Sequence, residues 1–326
     1  MKSQNIEAVF PLTPLQEGML FHALRDSDSD VYFIQYESKV SGELDALALQ
    51  QAWEGAARRH AALRTLFTWE RRERPLQAVR ARVEIPWEEL DWTDADPARI
   101  EDDWIGLTAS DREQPLRLDQ APLMRLKLVR TAKTEWRLLW TVHHLLMDGW
   151  SGRLLMREVF DACAAIQQGR EPESEPAVGF GEYVGWLQSQ DTKESRAHWE
   201  RRLRGFSSEA PLSVGRPPEL VRGDRRTHDS HTVVLEEELT AALAAAARAA
   251  RVTLNTCFLG AWAIVLGRYL SAEDVVFGTT LTTRPPRIPG VEGAIGLYMN
   301  TIPLRAQVEP SMEAAAWLRQ LQEAHA

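Results

Sequence analysis

Apolar positions along this chain recur with two spacings, about 3.6 and about 2 residues, which mark helices and strands. Leu15, Met19, Leu20 and Leu24 follow a helical period behind Thr13-Pro14. Thr13 offers an N-cap, Pro14 suits a first turn, and Glu17 puts negative charge near the helix start. Met19, Leu20 and Phe21 are expected in the core. Val31 to Val40 reads as a strand with Tyr32, Ile34 and Tyr36 on one face. Leu47 to Arg59 reads as an amphipathic helix and Leu63 to Trp69 as a strand. Pro97 to Ala109 reads as a helix capped by Asp96. Leu123 to Val129 and Trp136 to Val142 are two more strands, and Leu154 to Ile166 is helical.

A polar stretch from Gln168 to Pro176 carries Gly169, Pro172 and Pro176, which interrupt regular structure. It suggests a division into residues 1–172 and 173–326. Beyond it, Phe180 to Ser189 and Ser195 to Leu203 read as helices. Ser207 to Asp229 is mostly polar, and His231 to Leu235 reads as a short strand. Glu238 to Ala250 and the strongly apolar Leu254 to Tyr269 follow as helices, the second expected to be buried. Val275 to Leu281 and Thr301 to Ala306 are strands, and Met312 to Ala324 is an amphipathic helix. Helices and strands thus mix throughout, an α/β pattern.

At 326 residues the chain exceeds what one core usually serves, so two lobes are expected. A formal charge of −9 argues against general nucleic-acid binding, which needs cations to neutralise phosphates. Cys163 and Cys257 form no CxxC pair and no disulfide ladder, which fits a reducing cytoplasm. The N-terminus lacks a signal-peptide core, and no apolar run reaches the length a bilayer requires, so neither export nor a membrane partner is expected.

The chemistry concentrates in Val142-His143-His144-Leu145-Leu146-Met147-Asp148-Gly149-Trp150-Ser151, between a strand and a helix. Adjacent strand residues face opposite ways, so one histidine should pack inward and the other outward. An imidazole there can take a proton near neutral pH, and N–H groups at the next helix start can stabilise an oxyanion. Two structural histidines beside a turn remain an equal reading of the spacing. A metal site is disfavoured, since the histidines diverge and no HExxH or cysteine cluster adjoins them. Ser151 lies in no GxSxG elbow and reads as a residue that caps or packs.

His143-His144-Leu145-Leu146-Met147-Asp148-Gly149 resembles the HHxxxDG motif of the condensation domains of nonribosomal peptide synthetases. Other matches follow in that family's order. They are Leu12 to His22 (LTPLQEGMLFH), Arg59 to Phe67 (RHAALRTLF), Phe180 to Trp186 (FGEYVGW), Asp274 to Gly278 (DVVFG) and Ile295 to Arg305 (IGLYMNTIPLR).

The resemblance implies a chloramphenicol acetyltransferase-like pseudo-dimer of two α+β sandwich lobes, the second incomplete here. It implies an acyltransferase forming peptide bonds, without a covalent acyl-enzyme. Donor and acceptor would be thioesters on the phosphopantetheine of upstream and downstream carrier proteins, with no cofactor held by the domain itself. It assigns His144 to catalysis and gives Gly149 a place at the reacting groups. His143, Asp148, Arg64 and Arg284 would support the site, with Arg284 the first and Arg64 the second candidate partner of Asp148. Trp150, Ser151 and Asn300 would line the substrate tunnel. PLTPLQEGMLFH with MDGWS resembles the subtype accepting a D-configured donor, with a fatty-acyl starter subtype next. Residues 1–11 are expected to dock a preceding synthetase subunit. A noncatalytic recruitment module, or a coenzyme A-dependent acyltransferase of the same fold, stands as the alternative. Thr282-Thr283-Arg284 stands where the family often has Ser-Gly-Arg.

Overall fold

A computed structural model describes residues 5–25, 32–172, 177–207 and 231–325. The chain gathers into two compact units, Met1–Gln190 with Thr282–Asn300, and Asp191–Leu281 with Thr301–Ala326.

In the first unit the order is β1 (Ile6–Pro11), α1 (Pro14–Arg25), β2 (Phe33–Ser41), α2 (Ala46–Arg59), β3 (Thr65–Thr68), β4 (Leu76–Arg80) and β5 (Trp87–Asp91). Then come α3 (Ile100–Arg112), β6 (Met124–Ala132), β7 (Glu135–His143), α4 (Gly149–Gln167) and α5 (Phe180–Gln188). One sheet runs β1-β4-β3 and a second β2-β7-β6-β5. All pairs are antiparallel except β5 with β6. β7 is central and buried along nearly its whole length, which explains its continuous Leu, Trp and Val run. Its even positions meet those of β2, so Tyr36 lies opposite Trp140 and stacks on it at 4.7 Å between centroids. Trp53 of α2 closes on Trp140 from above, at 5.0 Å. α2 and α4 cover this face, and their apolar residues form the main core with Leu49, Leu138, Leu155 and Val159.

The second unit holds α6 (Thr192–Arg202), α7 (Glu237–Ala250), α8 (Leu254–Leu270), α9 (Ala314–His325) and most of the ribbon β8 (Asp274–Thr282) with β9 (Met299–Gln307). Ala263, Leu266, Val275, Leu304, Trp317 and Leu321 make its core.

Several expectations are corrected. α3 begins at Ile100, not Pro97. Asp96 caps a single turn instead, accepting from Ala98 N–H at 3.0 Å, while Arg99 N–H donates to the Asp96 carbonyl. Leu63 and Arg64 belong to a 3-10 turn (Ala61–Arg64) ahead of β3. His231 to Leu235 forms no strand; Val233 and Val234 are exposed and the stretch has no ladder partner among the described residues. α8 is apolar all round but half open: Gly260, Ala263 and Leu266 face inward, while Phe258, Trp262, Val265 and Tyr269 are exposed. Phe21 is exposed, not core, whereas Met19 and Leu20 are buried.

The units also divide the chain elsewhere than at residue 172. Phe180 packs edge-on against Tyr298 at 5.2 Å and Tyr183 lies 5.0 Å from the same ring, tying α5 and the segment Thr282–Asn300 into the first unit. Residues 6–11, expected within a docking segment, are a sheet strand laddered to β4; residues 1–4 lie outside the described residues.

Candidate functional site

The site forms where β7 ends and α4 begins. His143 N–H still donates to the Leu123 carbonyl across the sheet, at 3.0 Å, and His144 N–H donates to the Tyr32 carbonyl at 2.8 Å. The chain then turns, and Leu145 N–H donates to His143 Nδ1 at 3.2 Å. The two rings separate as strand alternation demands. His143 is buried at 5% exposure, and His144 is half-buried. Burial, reinforced by neighbouring His144, pushes the His143 imidazole down to about 4. His143 is therefore neutral at pH 7, and as an acceptor at Nδ1 it carries its proton on Nε2. His144 Nδ1 is buried with no hydrogen-bond partner among the described residues.

Asp148 closes the loop. It caps α4, its Oδ1 accepting from Ser151 N–H at 2.7 Å. Its Oδ2 accepts from Tyr298 N–H at 2.9 Å, and its own N–H donates to the Gly296 carbonyl at 3.1 Å. Arg284 Nη2 lies 3.7 Å from Asp148 Oδ1, both side chains nearly inaccessible. The guanidinium also donates to Ser151 Oγ at 2.8 Å and to the Ala294 carbonyl at 2.8 Å, and lies 4.4 Å from the Tyr298 ring centroid. Burial pushes the Tyr298 phenol up, partly offset by Arg284.

Close backbone approach is built in at two glycines. A Cβ on Gly296 would sit 2.5 Å from Phe180, and one on Gly152 would sit 2.5 Å from the Tyr36 hydroxyl. Gly149 has open space above its Cα. It is the first residue of α4, where N–H groups lack intrahelical acceptors and the helix dipole is positive.

The structure thus brings His143, His144, Asp148, Gly149, Ser151 and Arg284 together. Arg64 is elsewhere: its Nε donates to the Ala57 carbonyl at 2.9 Å, and Nη1 reaches Glu7 and the Arg80 carbonyl. It ties the end of α2 to β1 and β4 and is not a second partner of Asp148. Ser151, expected to line a tunnel, is fully buried; its hydroxyl donates to the Gly296 carbonyl at 2.8 Å and accepts from Arg284. Trp150 is 51% exposed, and its indole N–H donates to the Glu292 carbonyl at 3.3 Å. Asn300 is exposed on β9. His60 and Arg59 both bond Glu158 of α4, at 2.9 Å and 3.0 Å, a brace between α2 and α4.

Sequence reasoning gave no role to Gln16, Gln77, Tyr36 or Tyr298. Gln16 had a usable signal: Thr13-Pro14-Leu15-Gln16 is a capping box. Its Oε1 accepts from Thr13 N–H at 3.0 Å, and Thr13 Oγ1 accepts from Gln16 N–H at 3.2 Å. Gln77 and Tyr298 gain their meaning only from distant partners. Among the described residues no cluster of His, Cys, Asp and Glu could hold a metal ion, and no single helix is long and apolar enough to cross a membrane.

A family model described as "Condensation domain" matches residues 6–326. The chain is 37% identical over 322 residues to a component of the linear gramicidin synthase of Brevibacillus parabrevis, covering 99% of this chain and 4% of that protein. It is 32% identical over 323 residues to bacitracin synthase 3 of Bacillus licheniformis, covering 99% of this chain and 5% of that protein. It therefore spans a small fraction of these relatives. Among solved structures, the first condensation domain of the calcium-dependent antibiotic synthetase superposes with a TM-score of 0.79 at 22% identity, covering 98% of this chain and 74% of that one. A four-domain nonribosomal peptide synthetase bound to AMP and glycine gives 0.80 at 21% identity, over 98% of this chain and 24% of that one. At these identities the structural likeness speaks for the fold.

Proposed function

The chain belongs to the condensation domain family of nonribosomal peptide synthetases, whose role is amide-bond formation between carrier-bound substrates, and we propose that His144 serves that step here. The amine of an acceptor aminoacyl thioester attacks the carbonyl carbon of a donor acyl or peptidyl thioester. The C–N bond forms, the C–S bond breaks, and the donor arm leaves as a thiol once the amine's proton has been passed to it. An imidazole nitrogen can take a proton or hold one in place, so His144 accepts or orients the amine proton. Gly149, the first residue of α4 and with open space on the side-chain face of its Cα, is assigned to the developing oxyanion through its N–H. No acyl-enzyme is formed, in keeping with Ser151, whose buried hydroxyl is already engaged.

One observation carries this reading. The loop from His144 to Ser151 is closed by Asp148, through Ser151 N–H, Tyr298 N–H and Arg284, while the His144 ring has no partner at Nδ1 among the described residues. A histidine kept for structure would be expected to find a bond there.

The partners in this reading are an upstream donor and a downstream acceptor carrier protein, both loaded through phosphopantetheine. Trp150 and Asn300, both exposed, are proposed to border the substrate path. A D-configured donor is favoured by the PLTPLQEGMLFH and MDGWS segments. Free Cys163 and Cys257 support a cytoplasmic setting. Intact-mass measurement of a loaded acceptor carrier, mixed with this chain and a donor carrier bearing a short D-ended peptidyl thioester, tests the reading. A gain by the peptidyl mass supports it. No gain with folded protein turns the reading toward a recruitment module.

A further inference from the structure

We propose that Gln16 is a positioning residue for His144, acting through the carbonyl of Leu145; the inference rests on His144 being the group that meets the amine. Three successive peptide units around His144 are pinned to their surroundings, and within the turn Leu146 N–H donates to the His143 carbonyl at 3.1 Å. His144 N–H donates to the Tyr32 carbonyl at 2.8 Å, and Leu145 N–H to His143 Nδ1 at 3.2 Å. The Leu145 carbonyl accepts from Gln16 Nε2 at 3.1 Å. Only the last of these comes from a side chain distant in sequence, on α1.

Gln16 is itself tightly held. It is 1% exposed, as is Gln77. The two amides pair reciprocally, Gln77 Nε2 to Gln16 Oε1 at 2.9 Å and Gln16 Nε2 to Gln77 Oε1 at 3.3 Å. Gln77 Nε2 also donates to the Pro11 carbonyl at 2.9 Å, and Gln16 Oε1 also accepts from Thr13 N–H. With two N–H donors at Gln16 Oε1, a flipped amide would set donor against donor there and oxygen against the Leu145 carbonyl. The amide orientation is therefore fixed, and its Nε2 must face Leu145. Away from water, nothing replaces this bond when it is lost. The start of α1 thereby sets the height of the loop that carries His144.

The test compares the whole chain as wild type, Gln16→Met and Gln77→Met. Gln77→Met breaks the amide pair and the Pro11 bond but spares the bond to Leu145. Transfer between carriers is followed against acceptor concentration, and side-chain imidazole nitrogen spectra are recorded on the same proteins. Gln16→Met is expected to lower kcat about 10- to 100-fold with KM within about twofold, since small misplacements act on the transition state. Gln77→Met should stay within about threefold of wild type at a comparable loss of thermal stability. In the His144→Ala background, Gln16→Met should change nothing further. The His143 Nδ1 signal should move in Gln16→Met and hold in Gln77→Met. Equal losses of kcat in both variants, or a wild-type rate in Gln16→Met, would overturn the proposal. If wild type transfers nothing, the reaction assigned above fails, and the spectra alone decide: movement confined to Gln16→Met upholds the positioning, and no movement overturns it. Should Gln16→Met not fold, Gln16→Leu, which also lacks any donor to Leu145, carries the same comparison.

Discussion

Asp148 and Arg284 should be energetically coupled, and the geometry bounds by how much. Their closest atoms are 3.7 Å apart, which corresponds to about 1 kcal/mol in water and about 4 to 5 kcal/mol at an effective dielectric of 20. The nearest bond of Arg284 Nη2 is to Ser151 Oγ, at 2.8 Å, so the carboxylate is not the sole group it serves. Asp148 keeps two backbone N–H bonds whatever happens to Arg284. Both features place the coupling in the lower part of that range, about 1 to 3 kcal/mol, as is usual for neighbours sharing a buried network. The assay is urea unfolding of wild type, Asp148→Asn, Arg284→Met and the double variant, with m-values checked for constancy. Each single change should cost about 2 to 4 kcal/mol, because it strands a buried charge or buried bonding groups. Arg64→Met paired with Asp148→Asn is the control, expected to add within about 0.5 kcal/mol since Arg64 bonds Glu7 and two carbonyls instead. A coupling below about 0.5 kcal/mol for Arg284, or an equal one for Arg64, would refute the account of the loop.

Two further outcomes follow from the same region. Gly152→Ala should destabilise the protein by about 1 to 3 kcal/mol, because its Cβ falls 2.5 Å from a Tyr36 hydroxyl held against Trp140. Tyr36→Phe should restore part of that loss in the double variant, and a thermal midpoint unmoved by Gly152→Ala would contradict the packing. His143, held at about 4 against an ordinary 6.5, leaves folding stability intact above about pH 6.5. Between pH 6.5 and 4 the unfolded chain takes up a proton that the folded one refuses, so stability falls by up to about 3 kcal/mol. His143→Gln should flatten that part of the stability curve; identical slopes in both proteins would show that His143 is not buried neutral.

Much of the fold was legible where one periodicity ran uninterrupted. α2, β6, β7 and α4 carry strong local patterns, and the structure moves their ends by a few residues at most at the strands and lengthens α4 back to its Asp148 cap. Pro97 misled because an Asx cap and a proline serve a single turn as well as a helix. α8 misled because an apolar sequence reports what a helix could bury, and half of its surface finds no neighbour among the described residues. At the site, His144, Asp148 and Gly149 were readable from one contiguous motif. Ser151 packs, as its place outside any elbow suggested, but the partners that bury it, the Gly296 carbonyl and Arg284, lie far along the chain, so the motif alone could still place it in the tunnel. Arg64 and Arg284 could not be separated by charge alone; distance in the fold separates them. Gln16 and Gln77 share a bond across 61 positions, and nothing local in either segment announces the other.

His144, on a loop pinned on both sides of it, should be required for transfer of the donor group to the acceptor amine. Single-turnover transfer, read by intact mass of the acceptor carrier, compares wild type with His144→Ala at matched folding. His144→Ala should slow transfer by about 10²- to 10⁴-fold, the range typical of losing a positioned proton acceptor. Transfer by folded His144→Ala at close to the wild-type rate would contradict it.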